Sequence, residues 1–249
     1  MPLIGIALFG TAFGWFAFEI RKAESQRSAV NAIRAAGGDV MYDETSESRR
    51  RVIAPWLRAR LGDDFLARVI FVRFGDPTEI DGSLLDSLSS LTNLKSLDLS
   101  ATTITDAKLG KLSRLGHLEY LDLSATGITD VGLRRLVGMT DLKRLNLLGT
   151  DVSDSGLRNL QCLTELQWLD LQATEITDAG LPYLKSLSNL EYLGLQSTSV
   201  TDSGLEHLKL LAGLRELELF YTGVTEEGVE ELRHALPECE IFWVPRTSK

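Results

Sequence analysis

The sequence predicts an α/β solenoid, a stack of short strand–helix units preceded by a small helical cap, and three observations carry that prediction. Six leucines, Leu94, Leu118, Leu142, Leu166, Leu190 and Leu214, stand 24 residues apart, and self-similarity at a fixed period of this length marks a repeat architecture. Within every unit two further leucines follow at offsets three and five, as in Leu97/Leu99 or Leu169/Leu171, the alternation of a strand with one buried face. A hydroxyl–acid pair then precedes apolar residues spaced by three, as a short helix that packs on one side requires.

At the amino end, Pro2 to Phe18 is a run of seventeen uncharged residues, followed by Glu19 and then Arg21, Lys22 and Arg27. Seventeen helical residues rise about 26 Å, close to the thickness of a bilayer's hydrocarbon core. Residues 1–18 are therefore expected to form a single-pass membrane segment, uncleaved because no small-residue cleavage site follows. A signal peptide and a buried helix are the alternatives. Basic residues on the carboxyl side alone would leave the array in the cytoplasm by the positive-inside rule, and an upstream arginine would reverse that. The side of the membrane stays open.

Residues 19–68 are expected to form a stalk and cap. Glu19 to Ala36 is polar and helix-favouring and ends at Gly37-Gly38, Asp39 to Asp43 suits a short strand, and Glu44 to Arg51 suits a charged loop. Pro55 starts a helix whose Trp56, Leu57, Leu61 and Phe65 form an apolar stripe suited to covering the open end of the stack. The Arg49-Arg50-Arg51 run is read as solvated charge rather than a lipid contact.

From residue 69 to 249 there are about seven units, the last one capping. The first is degenerate: Thr78, Ile80, Leu85, Leu88 and Leu91 hold the register, whereas Val72 and Phe74 fit the strand only with one residue inserted. Eight residues after each opening leucine comes Thr102, Thr126, Thr150, Thr174, Thr198 or Thr222. There the strand turns, and a threonine ladder would satisfy backbone groups exposed between neighbouring coils. Ile104, Ile128, Val152, Ile176, Val200 and Val224 point inward at the corner. Pairs from Thr105-Asp106 to Thr225-Glu226 then place a capping hydroxyl before an acid that suits the positive end of the helix dipole, so these acids are structural. Each helix buries a stripe such as Leu109, Leu112 and Leu115. Every unit leaves two apolar edges that only its neighbours cover, so both ends need caps. Leu236 to Trp243 is an apolar tail placed to close the last coil.

The pattern L-x-x-L-x-L-x-x-T-x-I-T-D-x-G-L resembles the leucine-rich-repeat superfamily, in the threonine-bearing form common in bacterial proteins, over residues 69–249, about three quarters of the chain. The resemblance implies a right-handed arc whose concave parallel sheet binds protein ligands and whose helices line the convex side. Lys108 replaces the usual glycine, Glu226 the aspartate, and Arg73 and Gly75 disturb the first strand.

In that register, side chains two, four and six residues after the opening leucine leave the concave sheet and form columns. The first reads Ser96, Tyr120, Arg144, Trp168, Tyr192, Glu216; the second reads Asp98, Asp122, Asn146, Asp170, Gly194, Glu218; the third ends at Phe220, with Tyr221 beside it. Aromatic residues make up 7% of the chain but three of six positions in the first column, and exposed aromatics bordered by polar groups anchor protein interfaces. Tyr120, Arg144, Trp168, Tyr192, Asp98, Asp122, Asp170 and Phe220 are thus the candidate ligand-binding residues. The plain alternative is a cross-strand ladder that only stiffens the sheet. The acids are expected to be solvated, or to select a basic partner, because a flat column offers fewer than the six or more oxygens Ca²⁺ requires. No cofactor or metal is implied.

Charge and motifs narrow the function. The array carries sixteen Lys/Arg against twenty-seven Asp/Glu, a net charge of −11, and lacks the attraction to phosphate that drives nucleic-acid binding. His117, His207 and His234 fall on or beside the helices, and neither Cys162 nor Cys239 has a base at motif spacing. No phosphate loop, zinc set or nucleophile elbow appears, so the chain is not read as an enzyme. The expected function is a non-catalytic scaffold, tethered through residues 2–18, that binds a protein or peptide on its concave sheet. A structural or adhesive envelope spacer and a secreted effector-type recognition module are the alternatives.

Overall fold

A computed structural model describes the backbone of residues 3–43, 67–75 and 78–245, with side chains from residue 17 onward. One helix, α1 (Leu3–Ala35), is followed by β1 (Gly38–Tyr42) and β2 (Val69–Phe74). Seven three-residue strands follow: β3 (Ser96–Asp98), β4 (Tyr120–Asp122), β5 (Arg144–Asn146), β6 (Trp168–Asp170), β7 (Tyr192–Gly194), β8 (Glu216–Glu218) and β9 (Glu240–Phe242). All nine lie in one sheet in chain order. β1 pairs antiparallel with β2, and every later pair is parallel. Between β3 and β8 partners are 24 residues apart, for example Tyr120 beside Arg144 and Arg144 beside Trp168. In β2 the offset is 25, Val72 lying beside Leu97, so the inserted residue expected in the first unit is present.

The connections on the other side are shorter helices than a continuous leucine stripe suggests. α2 (Gly82–Ser89) has eight residues, but the next turns are single α turns such as Asp106–Leu109 and Asp154–Leu157, or a 3₁₀ helix at Leu181–Ser186. A helix with one turn cannot hold itself together; burial does it, with Leu109, Leu133, Leu157, Leu181 and all six opening leucines at most 1% exposed. The core is one continuous cluster running the length of the array.

Each coil turns its corner seven residues after the opening leucine in a left-handed backbone conformation: Ala101, Ala125, Gly149, Ala173, Ser197 and Tyr221 have φ between 52° and 66°. The threonine that follows is buried and acts within its own coil. Thr102 Oγ1 donates to Leu99 O at 2.6 Å, and Thr126, Thr150, Thr174, Thr198 and Thr222 repeat the bond. The ladder thus seals each corner rather than joining neighbouring coils, because the sharp turn brings the carbonyl three residues back within reach.

The joining is done by the helix acids. Asp154 Oδ1 accepts from Thr177 N at 2.8 Å and Oδ2 from Thr177 Oγ1 at 2.7 Å. Asp106, Asp130, Asp178 and Asp202 clamp Thr129, Ser153, Thr201 and Thr225 in the same way. At Asp130 burial alone would raise the carboxyl pKa, but bonds from Ser155 and Ser153 outweigh it and hold it below the ordinary value. The hydroxyls expected as helix caps are therefore mainly donors to the preceding coil, and Thr105, Ser153 and Thr201 make no cap bond at all.

The clamp explains the glycine that follows it and the departures at Lys108 and Glu226. A Cβ at Gly132, Gly156, Gly180, Gly204 or Gly228 would sit 2.1–2.4 Å from an Oδ1 of the clamping aspartate one coil earlier. At Lys108 the residue that would clamp from the preceding coil is Gly82, so no oxygen needs the space. Glu226 opens the last helix (Glu226–Ala235) and has no following coil to clamp among the described residues.

At the amino end the expected stalk is instead part of the cap. The final turns of α1 bury Ala29, Val30 and Ile33 in the common core, and Gln26 Nε2 donates to Ala67 O at 2.6 Å. An open first coil leaves apolar surface that the nearest helix must cover. The loop and helix expected over residues 44–66, with Trp56 and Arg49-Arg50-Arg51, lie outside the described residues. The apolar run 2–18 falls almost wholly where side chains are outside the description; among the described residues no helix is long and apolar enough to cross a membrane. At the other end Leu236, Cys239 and Ile241 are buried, and Trp243 Nε1 donates to Val224 O at 3.1 Å, closing the last coil.

Candidate functional site

The parallel register puts the first two of the three expected columns on the sheet in order, and side chains from six coils meet there. In the first column Trp168 and Tyr192 stack with ring centroids 4.8 Å apart and planes 9° from parallel. That separation is the strand spacing, so the backbone itself sets the stack. Tyr120 is separated from the pair by Arg144, which is exposed and whose guanidinium makes no ion pair or hydrogen bond to a described residue. Phe220 packs at 6.5 Å against Phe242 of the closing strand.

The second column differs from expectation, because its acids are not all solvated. Asp122 is 7% and Asp170 5% exposed. Their common role is to end the strand: Asp98, Asp122 and Asp170 accept from the backbone N of Ser100, Ser124 and Gln172 at 2.9–3.0 Å, an Asx turn. The rest of each carboxylate is treated differently. Asp98 takes Ser100 Oγ and the Arg73 guanidinium. Asp122 takes Ser124 Oγ on one oxygen, and Tyr120 Oη at 2.8 Å and Asn146 Nδ2 at 3.0 Å on the other.

Asp170 has neither of those outer donors. The residues in register with Tyr120 and Asn146 are Trp168 and Gly194, which offer no hydroxyl and no side-chain amide, and Gln172 N gives the Asp170 carboxylate its one hydrogen bond to a described residue. Burial, with Glu218 and Asp122 nearby, pushes its carboxyl up to about 6. Burial also raises the phenols of Tyr120 and Tyr192, helped at Tyr120 by the bond to Asp122 and at Tyr192 by the charges of Asp170 and Glu218.

Gln172 and Glu218 belong to the site although sequence reasoning did not choose them. Gln172 Nε2 lies 3.1 Å from Tyr192 Oη and 2.8 Å from Glu218 Oε2, tying three coils together. A Cβ at Gly194 would come within 2.6–3.0 Å of Asp170 Oδ1, Gln172 Nε2 and Tyr192 Oη, so its missing side chain makes this arrangement fit. The signal in the sequence was the break in the second column, where an acid or amide gives way to glycine.

The histidines stand elsewhere: His117 Nδ1 lies 3.0 Å from Asp141 and His234 Nδ1 contacts Glu230 O. Among the described residues no three His, Cys, Asp or Glu side chains could hold a metal ion. Cys162 and Cys239 are both free. Two cavities also lie off the concave face, one of about 440 Å³ between α1 and α2 and one of about 540 Å³ beside Glu119, Lys143 and Cys162.

A concave parallel sheet backed by short helices, with 24-residue coils sealed by leucine, defines a leucine-rich-repeat protein. The family model described as a leucine-rich repeat region matches residues 68–245, more than half of the chain, and the chain belongs to that family. Similar solved structures include internalin C2 of Listeria monocytogenes (22% identity, TM-score 0.52, covering 66% of this chain and 84% of that one). A leucine-rich-repeat protein of Leptospira interrogans is also similar (24%, TM-score 0.51, 62% and 38%), as is an internalin of Listeria monocytogenes (22%, TM-score 0.49, 66% and 51%). The chain thus spans about half of that internalin and less of the Leptospira protein. No curated protein matches the sequence.

Proposed function

We propose that the protein is a non-catalytic interaction module that holds a protein or peptide ligand on its concave sheet, around Tyr120, Arg144, Trp168 and Tyr192. The observation that carries this reading is the break at the middle of the face. Toward the amino end the polar side chains satisfy one another, whereas at Arg144, Trp168 and Asp170 they do not. Binding energy concentrates where a partner completes such groups beside aromatic surface. Membership of a repeat family built of protein-binding modules supports the same class.

The test is a pull-down from native lysate with the full chain, comparing the unchanged protein with a Tyr120→Ala/Trp168→Ala/Tyr192→Ala variant whose melting shows it folded. Loss of a discrete partner supports concave binding. Recovery of the same partners by both proteins refutes it.

One observation favours a second reading, a stiff spacer: the Trp168–Tyr192 stack spends one face of each ring on the neighbouring strand, which strengthens the sheet whether or not a ligand binds. On that reading the triple variant loses stability and no partner. Anchoring through residues 2–18 is a separate part of the proposal, and resistance of the full chain to alkaline extraction from membranes tests it.

A further inference from the structure

The concave face is acidic where it is least satisfied. Along β6 to β8 its first two columns carry Asp170, Glu216 and Glu218 with no base, while toward the amino end Asp98 already has Arg73 and Asp122 has Tyr120 and Asn146. Asp170 is the decisive group. It is 5% exposed, one oxygen accepts from Gln172 N at 2.9 Å, and no described donor reaches the other. The comparison is internal to the molecule: two coils earlier, on the same column, the second oxygen of Asp122 takes a tyrosine hydroxyl from its own strand and an amide from the next. Replacing those two residues by Trp168 and Gly194 removes both donors and keeps the acid.

A carboxylate largely withdrawn from water with one oxygen short of a donor is costly unless another group completes it. Gln172 cannot, since its amide is committed to Tyr192 Oη and Glu218. Asn146, in register beside Asp170, cannot either, since its amide donates to Asp122; the charged group nearest on the carboxyl side is Glu218, so charge complementarity selects a cation that brings its own hydrogen-bond donors. A guanidinium or ammonium on a flexible stem suits an acid set among ring edges, because its apolar stem lies along aromatic surface while its head reaches the acid.

Resting on the concave-binding reading, we infer that Asp170, flanked by Trp168 and Tyr192 and backed by Glu218, is the seat of a basic side chain, arginine or lysine, presented by the protein partner. Arg144 marks the amino-side boundary of the seat, since its own charge repels a second cation there.

The test uses the full chain and the capped peptide acetyl-Gly-Gly-Arg-Gly-Gly-amide, followed by NMR through the indole N–H of Trp168. Its lysine counterpart, its neutral citrulline counterpart and CaCl₂ are run beside it. The arginine and lysine peptides are expected to shift that resonance saturably and the citrulline peptide at least tenfold more weakly. Asp170→Asn, which keeps the shape and the Gln172 bond, should weaken the basic peptides at least tenfold. Trp168→Tyr should do the same, read on the backbone amide of Gln172, because it restores the hydroxyl that satisfies the acid at Asp122.

Equal binding of the citrulline peptide, no saturable shift, or full binding by Asp170→Asn overturns the inference. Saturation by CaCl₂ without a response to the peptides also overturns it in favour of a metal ion. If the triple aromatic variant loses its partner in the pull-down while Asp170→Asn keeps it, the concave reading stands and this inference falls. If the triple variant keeps its partner, the concave reading falls by itself.

Discussion

Gly156→Ala should destabilise the protein, although glycine to alanine inside an α turn ordinarily stabilises by about 0.5–1 kcal/mol. Gly156 lies in the turn Asp154–Leu157, and an alanine Cβ there would fall 2.3 Å from Asp130 Oδ1 and 3.1 Å from Leu133 Cδ1. Both positions are packed, so the carboxylate must retreat by most of an ångström to reach ordinary contact. That displacement breaks the 2.8 Å bond from Ser153 N to Oδ1 and strains the 2.7 Å bond from Ser153 Oγ to Oδ2. A lost bond to a charged acceptor costs about 1.5–3 kcal/mol and overpacking about 1–3 kcal/mol. Allowing for the helix gain of about 0.5–1 kcal/mol, the net loss is about 1.5–5.5 kcal/mol, or roughly 3–22 °C of melting temperature for an array of this size.

Removing the acid removes the collision, so Asp130→Ala/Gly156→Ala should lose less than the sum of its two single variants, with a coupling of at least about 1 kcal/mol. Gly138→Ala, which has nothing within 4 Å of the new Cβ, is the control. Thermal and urea unfolding by circular dichroism of the original protein and the four variants decides the matter. A Gly156→Ala protein as stable as the original, or an additive double variant, would show that the acid and the glycine are not coupled and that the clamp does not explain Lys108.

Three further outcomes follow from the same structure. Because folded Asp170 holds its proton up to about pH 6, above the ordinary 3.8, its contribution to stability is best below about pH 4 and falls as pH rises toward 6. The shift corresponds to about 3 kcal/mol at most, and about 1–2 kcal/mol once solvent screening is allowed for. Asp170→Asn should therefore match the original protein near pH 3.5 and exceed its urea stability by about 1–2 kcal/mol at pH 7.5; equal stability across that range would contradict the buried, unsatisfied carboxylate. Asp122→Asn at pH 7.5 should act with the opposite sign and cost about 1–3 kcal/mol, since Tyr120 and Asn146 both donate to the oxygen it replaces; a gain in denaturation midpoint would refute that network. Tyr221 is 65% exposed with φ 58°, where a side chain with a Cβ is strained and asparagine is tolerated, so Tyr221→Asn should raise stability by about 0.5–1 kcal/mol by chemical denaturation, and a loss would mean that the ring makes a contact worth more than the strain.

The repeat by itself determined the coil. Its 24-residue period, the alternation at Leu97/Leu99 and the corner residues Ile104 to Val224 each report burial or turning within one unit, where neighbours in sequence are neighbours in space, and the concave columns followed from that register. What lay between units was decided only by the tertiary structure. Asp106 and its successors looked like helix-end charges, yet they grip a threonine or serine 23 residues on, and the last turns of α1, read as a stalk, join the common core. Asp98, Asp122 and Asp170 are one letter in the sequence but three environments in the fold. A periodic pattern specifies how each coil folds on itself; the protonation and availability of a side chain depend on donors supplied by the coils on either side, and those change independently of the pattern.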